Sequence, residues 1–483
     1  MCPLGLETQA GTEEDYRMVN ATRRFRSAKI IAGFGLLALS ACSGTSAETE
    51  SVDGSQADLE GTLETVVVGN AERTAAHLEF FLEDSKGAWT KLLFDEHPEL
   101  VRVEDGHQHL SVPGRLHEEV TSSTKLRVTG VREGDKLQVS SFAVLEPALA
   151  DTASTQQALI AASPRKVAVI LANFANDTSQ PITPAAARDI VFGSTTSANA
   201  YYQSNSFGIR SLVGKLAQTG DVFGWYTIAA NNNPCDYSAW GTAARAAAQA
   251  AGVDLSGYDH IIHYFPRSSV CGWSGVGQVP GKYTWINGSN AQTISHELGH
   301  NFGSHHAASL ICTDANGARV SISPTCTANE YGNPFDVMGN GFRHMTGFNK
   351  GRVGFLEPAN TTAVSADGTF TIAPLEFKST ATQVLRIRID TTRAYYVEFR
   401  QPQAPFDNFA TTSAVVNGVL ITRAPLSYST VERPQLIDMA PSTTSFTDAA
   451  LKVGQTFTDP VAHISIKLNS LSSAGAVVSV DVP

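Results

Sequence analysis

The stretch that most constrains this chain is QTISHELGHNFGSHH, at residues 292–306. His296 and His300 are four positions apart, so on an α-helix they would share one face. Two imidazoles placed in this way can bind the same Zn²⁺, at about 2.0–2.1 Å each. Glu297 follows His296 directly, so it would stand beside the ion without binding it. That is the position a general base for a metal-activated water requires.

A third histidine completes the pattern. Gly303 lies three residues after His300, and glycine accepts the positive φ at which helices commonly end. The chain can then turn and bring His306 to the same ion. The adjacent His305 is an alternative ligand, but the spacing selects His306. Three protein ligands leave one position open for water, as in catalytic zinc sites. The plainer explanation is a chance grouping on a buried helix face, and the completely filled spacing argues against it.

A second motif, EYGNPFDVMG, follows at residues 330–339. Met338 precedes a glycine in a stretch rich in turn-forming residues, which predicts a tight turn that carries a methionine beneath a metal site. The alternative is a plain core role, because methionine fills irregular gaps well. The neighbouring turn residues favour the first interpretation.

Together, HELGHNFGSHH and EYGNPFDVMG resemble the metzincin metallopeptidases, and within them the gametolysin-like family, over about residues 165–357. The resemblance implies a zincin fold with one catalytic zinc ion and a Met-turn at Met338. It also implies that the strand before the zinc helix, here Tyr283–Asn287, forms the upper rim of the cleft and pairs with extended substrate. The implied zinc ligands and general base are His296, His300, His306 and Glu297.

Two devices known from some metzincins are missing from the sequence. No tyrosine follows Met338 closely, because Gly339 and Asn340 come next. No cysteine lies between Cys42 and Cys235, so an upstream thiol cannot block the metal. His344 is a further nearby histidine, and without a motif around it a surface or core role is expected.

The amino-terminal residues predict export. Residues 1–42 read as a signal peptide, with basic residues before the apolar run Ile30–Leu39 and the sequence Leu-Ser-Ala-Cys up to Cys42. This ending resembles the bacterial lipobox, in which Cys42 would be acylated. The alternative is an ordinary secretory signal. We therefore predict a cell-envelope lipoprotein whose only membrane contact is its lipid anchor, or a secreted protein.

Four cysteines remain after residue 42, and in an exported chain they predict two disulfides with three possible pairings. Proximity in the sequence favours Cys235–Cys271 and Cys312–Cys326. A cysteine zinc site is the alternative, but no Cys-x-x-Cys spacing supports it.

The length of 483 residues and the changing pattern predict a multidomain α+β protein. A metzincin catalytic domain at 165–357 would be flanked by a small N-terminal β-barrel-like domain at 58–147 and a C-terminal β-sandwich at 358–483. The barrel would be of the oligonucleotide/oligosaccharide-binding type and a possible propeptide, between a tether at 43–57 and a linker at 148–164.

Within the catalytic domain, Val167–Phe174 and Tyr258–Phe265 predict buried strands, because each is a nearly continuous apolar run. Ile209–Leu216 also predicts a strand, and Ala239–Ala251 predicts a helix. The glycine-rich stretch from Cys271 to Trp285 is expected to be irregular.

The net charge of −11 argues against a nucleic-acid partner. The sequence predicts a monomeric, exported zinc endopeptidase that acts on protein or peptide substrates. The alternatives are a non-catalytic adhesin or glycan-binding module on a zincin scaffold, and a purely structural zinc site. The intact Glu297 argues against the first, and the open coordination position against the second.

Overall fold

The computed structural model describes residues 54–100, 122–146, 164–288, 290–428 and 432–483. The predicted signal peptide with Cys42, and all but the last residue of the predicted linker at 148–164, lie outside these ranges. Within them, the chain is rich in sheet with few helices. No helix of the described residues is long and apolar enough to cross a bilayer.

The N-terminal region contributes five strands. They are β1 (Ser55–Gly69), β2 (Ala76–Glu83), β3 (Trp89–Leu100), β4 (Lys125–Glu133) and β5 (Lys136–Glu146). β1 pairs with both β2 and β4, β3 pairs with β2, and β5 pairs with β3 and β4. The pairing order β1-β2-β3-β5-β4 therefore returns to β1 as a closed ring. Leucine, valine and phenylalanine side chains fill its interior.

The start of β1 corrects one predicted boundary. The flexible tether was expected to reach residue 57, but Ser55, Gln56 and Ala57 already pair with Arg132, Val131 and Gly130 of β4. Their alternating side chains are mostly exposed, so the local composition resembles a linker. Pairing with a strand about 75 residues away in sequence is what orders them.

The next region surrounds a largely parallel sheet. Its elements are β6 (Arg165–Phe174), α1 (Pro184–Arg188), α2 (Ala198–Asn205), β7 (Leu212–Val213), β8 (Asp221–Ile228), α3 (Tyr237–Ala250), β9 (His260–Phe265), β10 (Gly275–Gln278), β11 (Tyr283–Asn287) and α4 (Ala291–Asn301). β6 pairs in parallel with β7, β8 and β9, and β9 pairs in parallel with β11. β10 runs antiparallel to β11. The apolar run of β6 is buried because helices or loops cover both faces of the sheet.

Two predictions in this region are wrong. Only Leu212–Val213 of the predicted strand Ile209–Leu216 is extended. The amide of Arg210 donates to the Ser206 hydroxyl at 2.7 Å and the amide of Gly214 to the Ala217 carbonyl at 3.1 Å, so turns take up these donors. Conversely, β10 lies within the stretch that was expected to be irregular. Its glycines have low strand propensity, but they allow helix α4 to pack closely against the strand.

The remaining elements build two facing sheets. They are β12 (Ala308–Thr313), β13 (Arg319–Val320), β14 (Thr325–Asn329), α5 (Gly347–Arg352), β15 (Thr361–Val364), β16 (Gly368–Ile372), β17 (Val384–Arg388), β18 (Arg393–Phe399), β19 (Gly418–Pro425), β20 (Gln435–Ile437), β21 (Leu451–Lys452), β22 (Thr456–Asp459), β23 (Ile464–Ser472) and β24 (Gly475–Asp481). One sheet contains β12–β15 and β17–β21, and the other has the order β16-β24-β23-β22. Apolar side chains of both sheets share one core.

One sheet crosses the predicted boundary between residues 357 and 358. β12 follows the metal-binding motif directly, and its Ala308–Leu310 pairs in parallel with Gln435–Ile437 of β20. The C-terminal sheet therefore extends to the third histidine of the motif. The sequence could not indicate this pairing because the two strands are more than 120 residues apart.

Candidate metal centre

Helix α4 carries the first two histidines of the motif. Asn290 caps its start, because the Asn290 side chain accepts a hydrogen bond from the amide of Thr293 at 3.2 Å. Ile294 and Leu298 pack in a core shared with the central sheet and the methionine turn. The helix is thereby buried, and His296 and His300 lie on the same face with their ring centroids 4.9 Å apart.

The chain turns at Gly303, as the motif predicts. Gly303 has a φ of +96°, and its amide donates to the carbonyl of His300 at 2.7 Å. The amide of Ser304 donates to the carbonyl of Gly299 at 2.9 Å, which closes the end of the helix. Three residues later the chain reaches His306, and the half-buried His305 does not belong to the cluster that forms.

His296, His300 and His306 converge on one point. Each offers a ring nitrogen, and these nitrogens all lie within 4.8 Å of one another. The Nε2 atoms of His300 and His306 are 3.2 Å apart. Two nitrogen ligands at tetrahedral angles on one zinc ion lie about 3.3 Å apart, so this spacing matches a shared ion.

The partners of the opposite ring nitrogens fix the direction of the lone pairs. Nδ1 lies 2.8 Å from the Val337 carbonyl in His296 and 2.8 Å from the Ser304 carbonyl in His300. In His306, Nδ1 lies 2.6 Å from a carboxylate oxygen of Glu330. All three partners are acceptors, so each Nδ1 carries the proton and each Nε2 presents a lone pair.

These lone pairs make the cluster electrostatically incomplete. Burial holds the pKa of all three imidazoles below the usual value, to about 4 for His300, so they are neutral near pH 7. With both Nδ1 atoms protonated, the close Nε2 pair of His300 and His306 cannot form a hydrogen bond. A cation between them would satisfy both, and the residues therefore fit a metal ion bound by three neutral imidazoles.

Glu297 lies beside the triad and is buried. It lines a cavity together with His296, Tyr331 and Arg73. Burial raises the pKa of Glu297 to about 8, and the positive charge of Arg73 opposes this rise. Gly275 of β10 packs directly over the carboxylate, and a Cβ at this position would overlap the Glu297 side chain. The missing side chain at residue 275 therefore leaves the space that the carboxylate needs.

Met338 lies beneath the helix that carries the histidines. It is fully buried, and its sulfur lies so close to Gly299 that a Cβ there would overlap it. Asp336 shapes the turn by accepting hydrogen bonds from the amides of Met338 at 2.8 Å and Thr346 at 2.7 Å. This turn also supplies the Val337 carbonyl that orients His296.

Sequence reasoning missed two residues of the site, Glu330 and Tyr331. Glu330 bridges His306 and Arg433, since its second carboxylate oxygen lies 2.5 Å from the Arg433 guanidinium. The Tyr331 ring packs against His306 with centroids 4.0 Å apart, and against His296 at 5.8 Å. Both belong to the quoted EYGNPFDVMG motif, so a carboxylate and a phenol just before the turn were available as indications.

The predicted rim strand is wrong in one respect. Tyr283–Asn287 forms β11, which pairs with β9 on one side and β10 on the other, so it has no free edge. β10 is the strand above Glu297. Its outer edge is paired with Val66–Val68 of β1.

Both predicted disulfides are confirmed. Cys235 is bonded to Cys271, between the start of α3 and the loop before β10. Cys312 is bonded to Cys326 across the antiparallel strands β12 and β14, which follow His306. A cysteine metal site is therefore excluded for these four residues.

His344 is a core residue, as expected, and is not part of the triad. It is fully buried, and its Nε2 lies 2.9 Å from the Ser204 hydroxyl. Asp407 lies 3.6 Å from its Nδ1. These contacts tie α2 to the segment after Met338.

Residues 166–398 match the family model described as gametolysin peptidase M11. The matched range contains the histidine triad, Glu297 and the Met338 turn. The search of curated proteins found no match.

Proposed function

Because residues 166–398 match a family model of peptidases, we propose that the chain is an exported, zinc-dependent endopeptidase. The convergence of three buried imidazole lone pairs beside Glu297 is the observation that carries this proposal. Three nitrogen ligands with a carboxylate nearby are typical of a catalytic zinc site, in which one coordination position is left for water.

The metal would be held by Nε2 of His296, His300 and His306. Zinc bound there would supply a Lewis acid that lowers the pKa of water and polarises a peptide carbonyl. The three Nδ1 acceptors hold the rings in the binding tautomer, so these rings need little reorganisation when a metal binds.

Glu297 acts as the general base in this proposal. The charge of a zinc ion bound beside Glu297 would oppose the rise in its pKa and favour the carboxylate. This carboxylate lines the same cavity as His296, so it can take a proton from the attacking water and pass it to the leaving amine. Tyr331 lines the cavity as well, and in this proposal its hydroxyl donates a hydrogen bond to the oxyanion that develops on the carbonyl. The chain thereby offers a tyrosine that precedes Met338, where some metzincins use one that follows the methionine of the turn.

Export is the second part of the proposal. The two disulfides support it, because such bonds persist in oxidising compartments. Acylation at Cys42 remains a proposal from the sequence, and the mass of the mature amino terminus distinguishes it from cleavage by an ordinary signal peptidase. The substrate class that we propose is protein or peptide outside the cytoplasm.

Substitution of Glu297 tests the mechanism. We expect Glu297→Gln to keep one zinc ion per chain, because residue 297 is not a ligand, and to lose activity by about 10²–10⁴-fold, because proton transfer is removed. Zinc content by mass spectrometry and cleavage of a peptide library, with and without 1,10-phenanthroline, are the two measurements.

The exposed Glu357 provides a matched control, and Glu357→Gln should change neither quantity. If Glu297→Gln cleaves peptides at the parental rate, the base assignment is wrong. If the parent binds zinc but neither it nor a variant with a loosened hairpin between β1 and β2 cleaves any peptide, the non-catalytic binding module becomes the better interpretation.

A further inference from the structure

The outer edge of β10 is covered by the chain's own N-terminal ring. Val66, Val67 and Val68 of β1 pair antiparallel with Gln278, Gly277 and Val276. The amide of Val279 extends this pairing by donating to the carbonyl of Thr65 at 2.9 Å. An extended peptide that added to β10 would need the same main-chain groups.

The chain continues from β1 into the metal cleft. Gly69 lies so close to Tyr331 that a Cβ at residue 69 would overlap the tyrosine hydroxyl. The amide of Ala71 then donates to the Gly272 carbonyl at 2.6 Å. The segment from Val66 to Arg73 therefore lies along the site and not beside it.

The hairpin between β1 and β2 is held in a defined shape. The Asn70 side-chain oxygen accepts hydrogen bonds from the amides of Thr74 at 2.8 Å and Ala75 at 3.1 Å. The main-chain amide of Asn70 closes the loop by donating to the Ala75 carbonyl at 2.9 Å. This loop presents Arg73 to the cavity that contains Glu297.

Little space remains for a substrate. The cavity between the hairpin and the site has a volume of about 20 Å³, which is room for about one water molecule. Gly69, Ala71 and Arg73 form one of its sides. Its other side is formed by His296, Glu297 and Tyr331.

The ring is docked through an aromatic contact as well as through strand pairing. Phe81 of β2 packs near Tyr237, and Trp89 of β3 packs near Trp285, with ring centroids 6.2 Å and 5.9 Å apart. The Tyr237 hydroxyl donates to Glu79 at 2.6 Å. The ring also has an apolar interior of its own, separate from this contact. Val66 and Phe81 pack instead in the core of the neighbouring region, so displacement of the ring would expose them while the ring's own interior stays buried.

We propose that the segment 66–73 is a built-in plug that keeps the peptidase latent until the N-terminal ring is displaced. This inference rests on the proposed peptidase function and names the regulation of that site. The plug acts through main-chain pairing and shape, with a glycine at the closest approach and an arginine beside the base. It requires no thiol, which fits a chain without cysteine between Cys42 and Cys235.

Two single substitutions in the hairpin test the plug. Ala71→Pro removes the amide that donates to Gly272, and Arg73→Ser removes the charge beside Glu297. Neither residue belongs to the interior of the ring or to the proposed catalytic groups. We expect each zinc-loaded full chain to cleave a mixed fluorogenic peptide set about tenfold or more faster than the parent, because the open fraction rises.

A matched control lies on the neighbouring hairpin. Lys86→Ser removes an exposed positive charge at the turn between β2 and β3, and it should leave the cleavage rate unchanged. Urea unfolding checks that each variant keeps its fold. If both hairpin variants unfold the whole chain, the ring is an essential part of the fold and the plug is wrong.

A second measurement separates access from hydrolysis. In a Glu297→Gln background, a fluorescent peptide hydroxamate reports whether an extended chelator can reach the zinc site. We expect proteins with a hairpin substitution to bind it at least about tenfold more tightly than Glu297→Gln alone does. If the hairpin variants bind the hydroxamate more tightly while no variant that keeps Glu297 cleaves a peptide, that result would support the plug and contradict the proposed hydrolysis. Equal binding and equal cleavage with and without the substitutions would overturn the plug.

Discussion

The histidine triad and a cluster around Arg400 are both fully buried polar groups, and the methionine turn lies between them. In the triad, three lone pairs point at one another, and no cationic side chain of the described residues lies between them. In the other cluster, the positive charge of Arg400 faces Glu376, Glu398 and Asp407. One cluster thus needs an ion from outside, and the other contains its own.

The bonds of Arg400 account for all of its donors. Nε donates to Glu376 at 2.5 Å, Nη1 to Glu398 at 3.1 Å and Nη2 to Asp407 at 2.6 Å. The two remaining N–H groups donate to the carbonyls of Phe335 at 3.1 Å and His344 at 3.2 Å. Those carbonyls lie on either side of Met338, so the cluster fastens the turn to β18.

The difference shows what separates a binding site from a structural network in a buried interior. Each polar atom of the Arg400 guanidinium has a partner, and its role is to hold elements in place. The triad has partners on every Nδ1 and leaves each Nε2 directed inward. Several buried lone pairs that have no hydrogen-bond donor and converge on one point indicate a site for a cation.

The largest effect on this comparison is expected from removing the internal cation. Arg400→Met leaves three buried acids without the cation that they share, which should lower the free energy of unfolding by about 3–5 kcal/mol. Urea unfolding of the zinc-free chain measures it. Arg393→Met is the control, and it should cost less than about 1 kcal/mol because Arg393 and Asp390 are 43% and 35% exposed. Similar losses for both variants would contradict the fastening role.

A smaller effect is expected from the phenol beside the triad. Tyr331→Phe keeps the ring against His306 but removes the proposed donor to the oxyanion. We expect kcat/KM for peptides to fall by about 10²–10³-fold while zinc content stays at one per chain. Tyr226→Phe on β8 is the control for loss of a tyrosine hydroxyl outside the cavity. An unchanged kcat/KM in Tyr331→Phe would leave the ring with a packing role only.

The smallest effect is expected from the acceptor of His306. Glu330→Gln keeps an oxygen near Nδ1 but removes the negative charge, so zinc affinity should fall by about 10–100-fold. Competition with a fluorescent zinc chelator measures the affinity. Glu133→Gln, on an exposed residue of the N-terminal ring, controls for the change in net charge. An equal affinity for zinc in all three proteins would mean that Glu330 does not tune the site.

The sequence was sufficient for the groups that are close together along the chain. His296, His300, Gly303 and His306 occupy one helix and one turn, whose geometry follows from local rules. The cysteine pairs could be predicted in the same way, because each closes a short loop. Met338 was accessible because its motif describes a local turn.

The contacts that close the site are not local. Val66–Val68 pairs with Val276–Gln278 across about 210 residues, and nothing in either segment alone specifies the other. Gly275 and Gly277 lowered the expectation of a strand, although their small size is what lets β10 lie over α4. The role of Arg400 depends equally on partners from separate parts of the chain.

β1 protects two strand edges at once. Along Ser55–Thr62 it pairs with β4 and closes the ring, and along Val66–Val68 it pairs with β10. If the ring and the peptidase region part, the pairing with β4 is kept, but the main-chain donors and acceptors of Val66–Val68 and of β10 become solvent-exposed together. Each unpaired strand edge can then form main-chain hydrogen bonds with another extended polypeptide. Displacement of the ring would therefore expose two strand edges that can bind unfolded chains, and each edge could also bind the other again.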